Sequence, residues 1–73
     1  MTPKEAIDLL EKERYKRGMT ILEFSAEIDI SMSTYAHWIY HDQRPKAGML
    51  FYALENAGFE IIVRRKDDGA LDI

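Results

Sequence analysis

Residues 31–46 of this 73-residue chain hold its densest set of side chains able to do chemistry. They carry hydroxyls on Ser31, Ser33 and Thr34, imidazoles at His37 and His41, the Tyr40 phenol, and bases at Arg44 and Lys46. Three chemistries use such groups. Two imidazoles four residues apart share a helical face, a spacing that holds zinc. Here the only nearby third ligand is Asp42, and Trp38 stands where a metalloprotease carries its glutamate, so neither metal nor cofactor is expected. A serine beside a histidine can be a nucleophile. However, the chain has no glycine-rich elbow, and its four glycines (18, 48, 58 and 69) form no phosphate loop, so no enzyme is expected. Hydroxyls at the start of a helix, followed by bases in a loop, suit contact with phosphates and base edges. The plainer alternative is that Ser31, Ser33 and Thr34 cap a helix while Arg44 and Lys46 solubilise a loop.

These side chains need elements to position them. Thr2-Pro3-Lys4-Glu5 combines a capping threonine, a proline at the first helical position and a glutamate that completes a capping box. Ala6, Ile7, Leu9 and Leu10 then give an apolar face, and Gly18 is a left-handed stop, which predicts a helix over residues 3–17. Thr20 to Glu23 repeats the capping box, and Leu22, Phe24 and Ala26 continue it over 21–27. Asp29 tolerates left-handed backbone, and Ser31 is a fresh cap for a third helix over 32–40. Two short helices joined by a three-residue link have helix-turn-helix spacing. Pro45 keeps Arg44 out of helical conformation. Residues 47–57 read as a fourth helix with Met49, Leu50, Ala53, Leu54 and Ala57 along one stripe. After Gly58 the period shortens to two: Phe59, Ile61 and Val63 alternate with Glu60, Ile62 and Arg64, which predicts a strand over 59–65. A lone strand leaves its backbone polar groups unpaired, so its natural partner is the same strand of a second copy. Phe24, Tyr35, Trp38, Phe51 and Phe59 are expected in the core, with Tyr15, Tyr40 and Tyr52 partly exposed.

Composition sets outer bounds. The length fits one domain, here residues 1–66 with a short acidic tail over 67–73. With no cysteine there is no disulfide to staple so small a core, which favours a partner subunit. No apolar run approaches the roughly 20 residues that cross a bilayer. The first five residues lack the apolar stretch of a signal peptide, so a cytoplasmic location is expected. Thirteen acids against ten bases give a net charge of −3, unlike the basic balance usual for nucleic-acid binders. The charges are segregated, though. Bases gather at Lys12, Arg14, Lys16 and Arg17, at Arg44 and Lys46, and at Arg64 to Lys66, whereas residues 20–43 contain none and carry Glu23, Glu27, Asp29 and Asp42.

Residues 19–45, from Met19-Thr20-Ile21-Leu22-Glu23 through Ile30-Ser31-Met32-Ser33-Thr34 and Trp38 to Arg44-Pro45, resemble the lambda-repressor-like (Xre) helix-turn-helix family. The likeness extends from Leu10 to Gly58. Ile30 to Thr34 looks like the opening of that family's recognition helix, Trp38 like its buried bulky position, and Arg44-Pro45 like its basic loop ending in proline. The run from Ala53 to Val63 is similar to antitoxin-type members such as HipB and HigA, in which a C-terminal strand pairs across the dimer. The resemblance implies a mainly α, four-helix domain with one C-terminal strand, bacterial or phage-encoded. Ile21, Met32, His37 and Ile39 depart from it: the family commonly has glutamines at the first two, arginine at the third and glutamate at the fourth.

With Tyr35 and Trp38 turned inward, residues 32–40 present Met32, Ser33, Ala36, His37 and Tyr40 outward. Ser31, Ser33 and Thr34 suit phosphate or base contact, Ala36 and Met32 a thymine methyl, and His37 a guanine acceptor. Arg44 and Lys46 are the expected phosphate clamps, with Lys16 or Arg17 in support. The expected function is therefore sequence-specific binding of double-stranded DNA by a homodimeric, repressor-like regulator. Phe59, Ile61, Ile62 and Val63 are its expected dimerisation residues. The alternative is a protein-interaction module (an antitoxin, anti-repressor or adaptor) whose partner is a toxin or another regulator. Its motive is the net acidity together with the apolar Ile21, Met32 and Ile39.

Overall fold

A computed structural model describes residues 1–41 and 44–65. Four helices follow in order: α1 (Pro3–Arg17), α2 (Ile21–Glu27), α3 (Met32–Tyr40) and α4 (Ala47–Asn56). The first three match the sequence expectation, and α4 closes one residue early, with Ala57 as its cap.

The helix boundaries are set by local chemistry. At α1 the Thr2 N–H donates to Glu5 Oε1 (2.7 Å) while the Glu5 N–H donates to Thr2 Oγ1 (3.1 Å). Thr20 and Glu23 repeat this reciprocal pair at α2, with distances of 2.9 and 3.1 Å. Each box satisfies donors that a helix start leaves without partners. Gly18 ends α1 at φ 67°, where a side chain would strain the backbone, and its N–H donates to the Tyr15 carbonyl (3.1 Å).

The core is one cluster to which every helix contributes: Ala6, Ile7 and Leu10 from α1, Phe24 from α2, Tyr35 and Trp38 from α3, and Leu50, Ala53 and Leu54 from α4. Ile28 and Ile30 anchor the link between α2 and α3 in the same cluster. The Tyr35 ring packs on Phe24 (5.7 Å between centroids) and edge-on to Trp38 (6.0 Å). Such aromatic pairs add about 1 kcal/mol each beyond the area they bury. Helices α2 and α3 pack together, as do α1 and α4.

Several expectations need correction. Phe24 supplies α2's fully buried anchor, with Ile21 partly buried against the same core; Leu22 and Ala26 are exposed, because in a seven-residue helix only one side reaches the core. Met49 and Phe51 also turn outward, since Leu50, Ala53 and Leu54 already fill the inward side of α4. No strand occurs among the described residues, and residues 59–65 carry no regular structure within the single chain, where no second strand is available to pair with them. Phe59 is nevertheless fixed, its N–H donating to the Leu54 carbonyl (2.9 Å). Asp42 and Gln43 of the polar loop, Lys66, and the acidic tail 67–73 lie outside the described residues.

Candidate nucleic-acid interface

The Ser31 side chain accepts from the Thr34 N–H (3.2 Å) and donates to Thr34 Oγ1 (2.8 Å), so it starts α3 as its cap. Two of the three hydroxyls read as candidates for contact therefore serve the helix start. Ser33 is exposed and enters no hydrogen bond with the described residues. Tyr35 and Trp38 point into the core, which rotates the opposite side of α3 outward. There Met32 is 48% exposed and Tyr40 67%, His37 is exposed, and Ala36 is half-buried. The structure thus brings Met32, Ser33, Ala36, His37 and Tyr40 onto one face, at spacings of one, three or four residues. The His37 and His41 rings meet edge-on at 4.9 Å. No group of three metal-ligating side chains occurs among the described residues.

Arg44 and Lys46 are exposed beyond the end of α3. Arg44 and Tyr40 line a cleft of about 350 Å³ that also takes in Lys4, Asp8 and Glu11 of α1. Lys4 therefore joins the bases near the end of α3, held at 3.5 Å from Asp8 in an exposed pair. Sequence reasoning missed it because it stands alone, forty residues from Arg44.

The basic run at the end of α1 is not what its sequence implies. Arg14 is 8% exposed and forks onto Glu11 with two bonds of 2.8 and 2.9 Å, and its third donor meets the Met19 carbonyl at 3.0 Å. The Tyr35 hydroxyl donates to the same Glu11 carboxylate (2.7 Å). Burial alone would raise the Glu11 pKa, but the Arg14 guanidinium and the Tyr35 hydroxyl outweigh it and leave the carboxyl below its usual range. Burial, followed by the bond to Glu11, pushes the Tyr35 phenol up. Arg17 pairs with Glu13 (2.8 Å) and donates to the Ala57 carbonyl (2.8 Å), which ties α1 to the end of α4. Arg14 and Arg17 are thus committed within the domain. The spacings Glu11–Arg14 and Glu13–Arg17, three and four residues, were the signal available.

The link between α2 and α3 is bolted to α4. Asp29 takes the left-handed backbone expected of it (φ 59°), and the Tyr52 hydroxyl donates to its carboxylate at 2.5 Å. The Asn56 carboxamide donates to the Ile28 carbonyl at 2.9 Å. The bond to Asp29 raises the pKa of the Tyr52 phenol.

Of the residues assigned to dimerisation, Phe59 and Ile61 are half-buried against the chain's own core, while Ile62 and Val63 are exposed, Val63 at 92%. The expected alternation of Phe59, Ile61 and Val63 on one side therefore holds for the first two only. No family model, curated protein or solved structure matches the chain. No helix among the described residues is long and apolar enough to cross a membrane.

Proposed function

We propose that this chain is a sequence-specific DNA-binding regulator of the lambda-repressor-like type, repressing as a homodimer that occupies an operator. The observation that carries the reading is the outward face of α3: Met32, Ser33, Ala36, His37 and Tyr40 are presented together by a helix whose other side is locked into the core. An α-helix fits the major groove, where Met32 and Ala36 meet a thymine methyl, and Ser33 and His37 meet base-edge acceptors. Ser31 and Thr34 cap that helix and aim its N-terminal amides toward phosphate. Arg44, Lys46 and Lys4 supply cations beside it, where phosphates flank the groove. In the dimer, residues 59–65 of two copies pair as antiparallel strands. That pairing satisfies the backbone groups that one chain alone leaves open and covers the exposed Ile62 and Val63.

The test is an anisotropy titration on duplex DNA across a salt series. About six phosphate contacts per dimer give a log–log salt slope near −5. Arg44→Ala weakens binding on every sequence and reduces that slope by about 2, one contact from each protomer. A slope unchanged by Arg44→Ala would remove Arg44 from the interface.

A second reading has an observation of its own. Leu22 is 61% exposed on α2, near the exposed Glu23 and Glu27, and Met32 is exposed at the start of α3. An apolar surface with acidic flanks fits a protein partner better than it fits DNA. On that reading Leu22→Ser abolishes capture of the partner and leaves DNA binding intact; purified chain that shifts operator DNA unaided counts against it as the main function.

A further inference from the structure

The cleft between the first half of α1 and the end of α3 is built of two kinds of surface. Its volume of about 350 Å³ exceeds the roughly 150 Å³ that accepts a benzene ring and reaches the lower end of ordinary small-molecule pockets. Pro3, Ile7, Ile39 and Pro45 give it apolar walls, of which Ile7 is buried and Ile39 and Pro45 are half-buried. Trp38 stands among them at 5% exposure. Its indole N–H donates to no described residue, and no fully enclosed side-chain polar atom among these residues lacks a partner, so that N–H opens onto the cleft. A nearly buried donor in that position calls for an acceptor, from water or from a ligand.

The charges around the cleft decide what that acceptor is. Glu11 is already satisfied: its carboxylate takes two bonds from Arg14 and one from Tyr35. Asp8 stands 3.5 Å from Lys4, which offsets its charge. Arg44 makes no ion pair with the described residues. With Arg14 counted against Glu11 and Lys4 against Asp8, Arg44 leaves one positive charge over. That surplus and the indole donor both favour an anion, while the walls favour an apolar body. An inorganic ion would meet the donors and leave the walls wet. A carboxylic acid with an apolar body the size of one ring meets both.

We propose that this cleft binds a small carboxylic acid with a ring-sized apolar body, its carboxylate held by Arg44, Lys4 and the Trp38 N–H. Arg44 and Lys4 are also the cations that the function proposed above gives to DNA phosphates, so ligand and DNA exclude one another; this coupling alone rests on that reading. Benzoate is the probe. It is titrated into the full chain without DNA while NMR follows the indole N–H resonance of Trp38, the chain's only tryptophan. The resonance moves saturably, with half-saturation at or below about 1 mM. Arg44→Ala and Lys4→Glu each weaken binding at least ~10-fold. Both positions are exposed, and glutamate suits the start of a helix, so helicity by circular dichroism stays unchanged. Benzamide, the neutral amide of the same shape, binds at least ~10-fold more weakly, and inorganic phosphate leaves the resonance in place. No saturable shift with benzoate overturns the proposal, as does benzamide or phosphate acting equally well, or a shift that both variants leave unchanged. Saturating benzoate at matched ionic strength then lowers affinity for duplex DNA ~10-fold or more, and an untouched affinity overturns the coupling. A chain that takes benzoate but binds no DNA leaves the cleft standing and removes the DNA reading; one that binds DNA but ignores benzoate does the reverse.

Discussion

At the scale of single residues, Glu11 does the most structural work for its size. Its carboxylate holds Arg14 and Tyr35 together, and Arg14 passes the connection to the Met19 carbonyl. Glu11→Gln leaves a nearly buried guanidinium without its counter-charge and is expected to cost about 2 kcal/mol in denaturant unfolding. The pH dependence follows from the direction of the shift. The Glu11 carboxyl is depressed in the folded state, so its contribution is complete above the unfolded carboxyl range, near 4.3, and is lost as pH falls through the folded value. Glu11→Gln should flatten this acid limb; an unchanged limb would show that other carboxylates produce it. Tyr35 acts with the opposite sign: its raised phenol pKa favours the folded chain below about 10 and loses that contribution as pH rises further. On DNA, His37→Ala is expected to change preference at one base position without altering the salt slope. Of the Glu11 network, only the three-residue spacing to Arg14 was legible in the sequence. Arg14 sits among Lys12, Lys16 and Arg17, and only the folded chain, in which it bonds Glu11 and the Met19 carbonyl, sets it apart as buried.

At the scale of elements, the ends of helices were the most readable feature, because caps are local. Thr2 with Glu5, Thr20 with Glu23, Ser31 and Gly18 each act through bonds to residues within five positions, so their chemistry is written contiguously in the chain. Thr20→Ala should cost about 1 kcal/mol and fray the start of α2, visible as faster amide exchange there. Facing was harder to read. Leu22, Met49 and Phe51 are as apolar as the residues that do reach the core, and only the limited space between helices excludes them. The bonds from α4 to the link between α2 and α3 join residues more than twenty positions apart, beyond any local signal. They bear on the proposed function, because the link sets how α3 is presented. Asn56→Ala removes the partner of the Ile28 carbonyl and is expected to cost about 1 kcal/mol. Asp29→Val puts a branched side chain at φ 59° and is expected to cost more, about 2 kcal/mol, whereas Asp29→Gly relieves the backbone while losing the Tyr52 bond. Loss of DNA affinity beyond the loss of stability in Asn56→Ala would mark the link as a positioning element; equal losses would make it purely structural.

At the scale of the whole molecule, the net charge of −3 and the proposed DNA contact are compatible, because only the face presented to DNA must be positive. Arg14 and Arg17 are spent inside the domain, so Arg44, Lys46 and Lys4 carry that face around α3. On the proposed function, few cations per protomer give weak non-specific binding at physiological salt unless two copies double the contacts. If dimerisation is coupled to folding, Tm should rise with protein concentration, and truncation after Gly58 should abolish the rise. The proposed two-copy unit was legible in the sequence only as an argument from small size and an unpartnered strand pattern. The central claim is tested most directly by selecting bound sequences from random duplexes with the purified full chain. The account predicts enrichment of two half-sites related by two-fold symmetry, centred about 34 Å apart along the duplex. No enriched half-site, together with no detectable binding at about 50 mM salt, would contradict it.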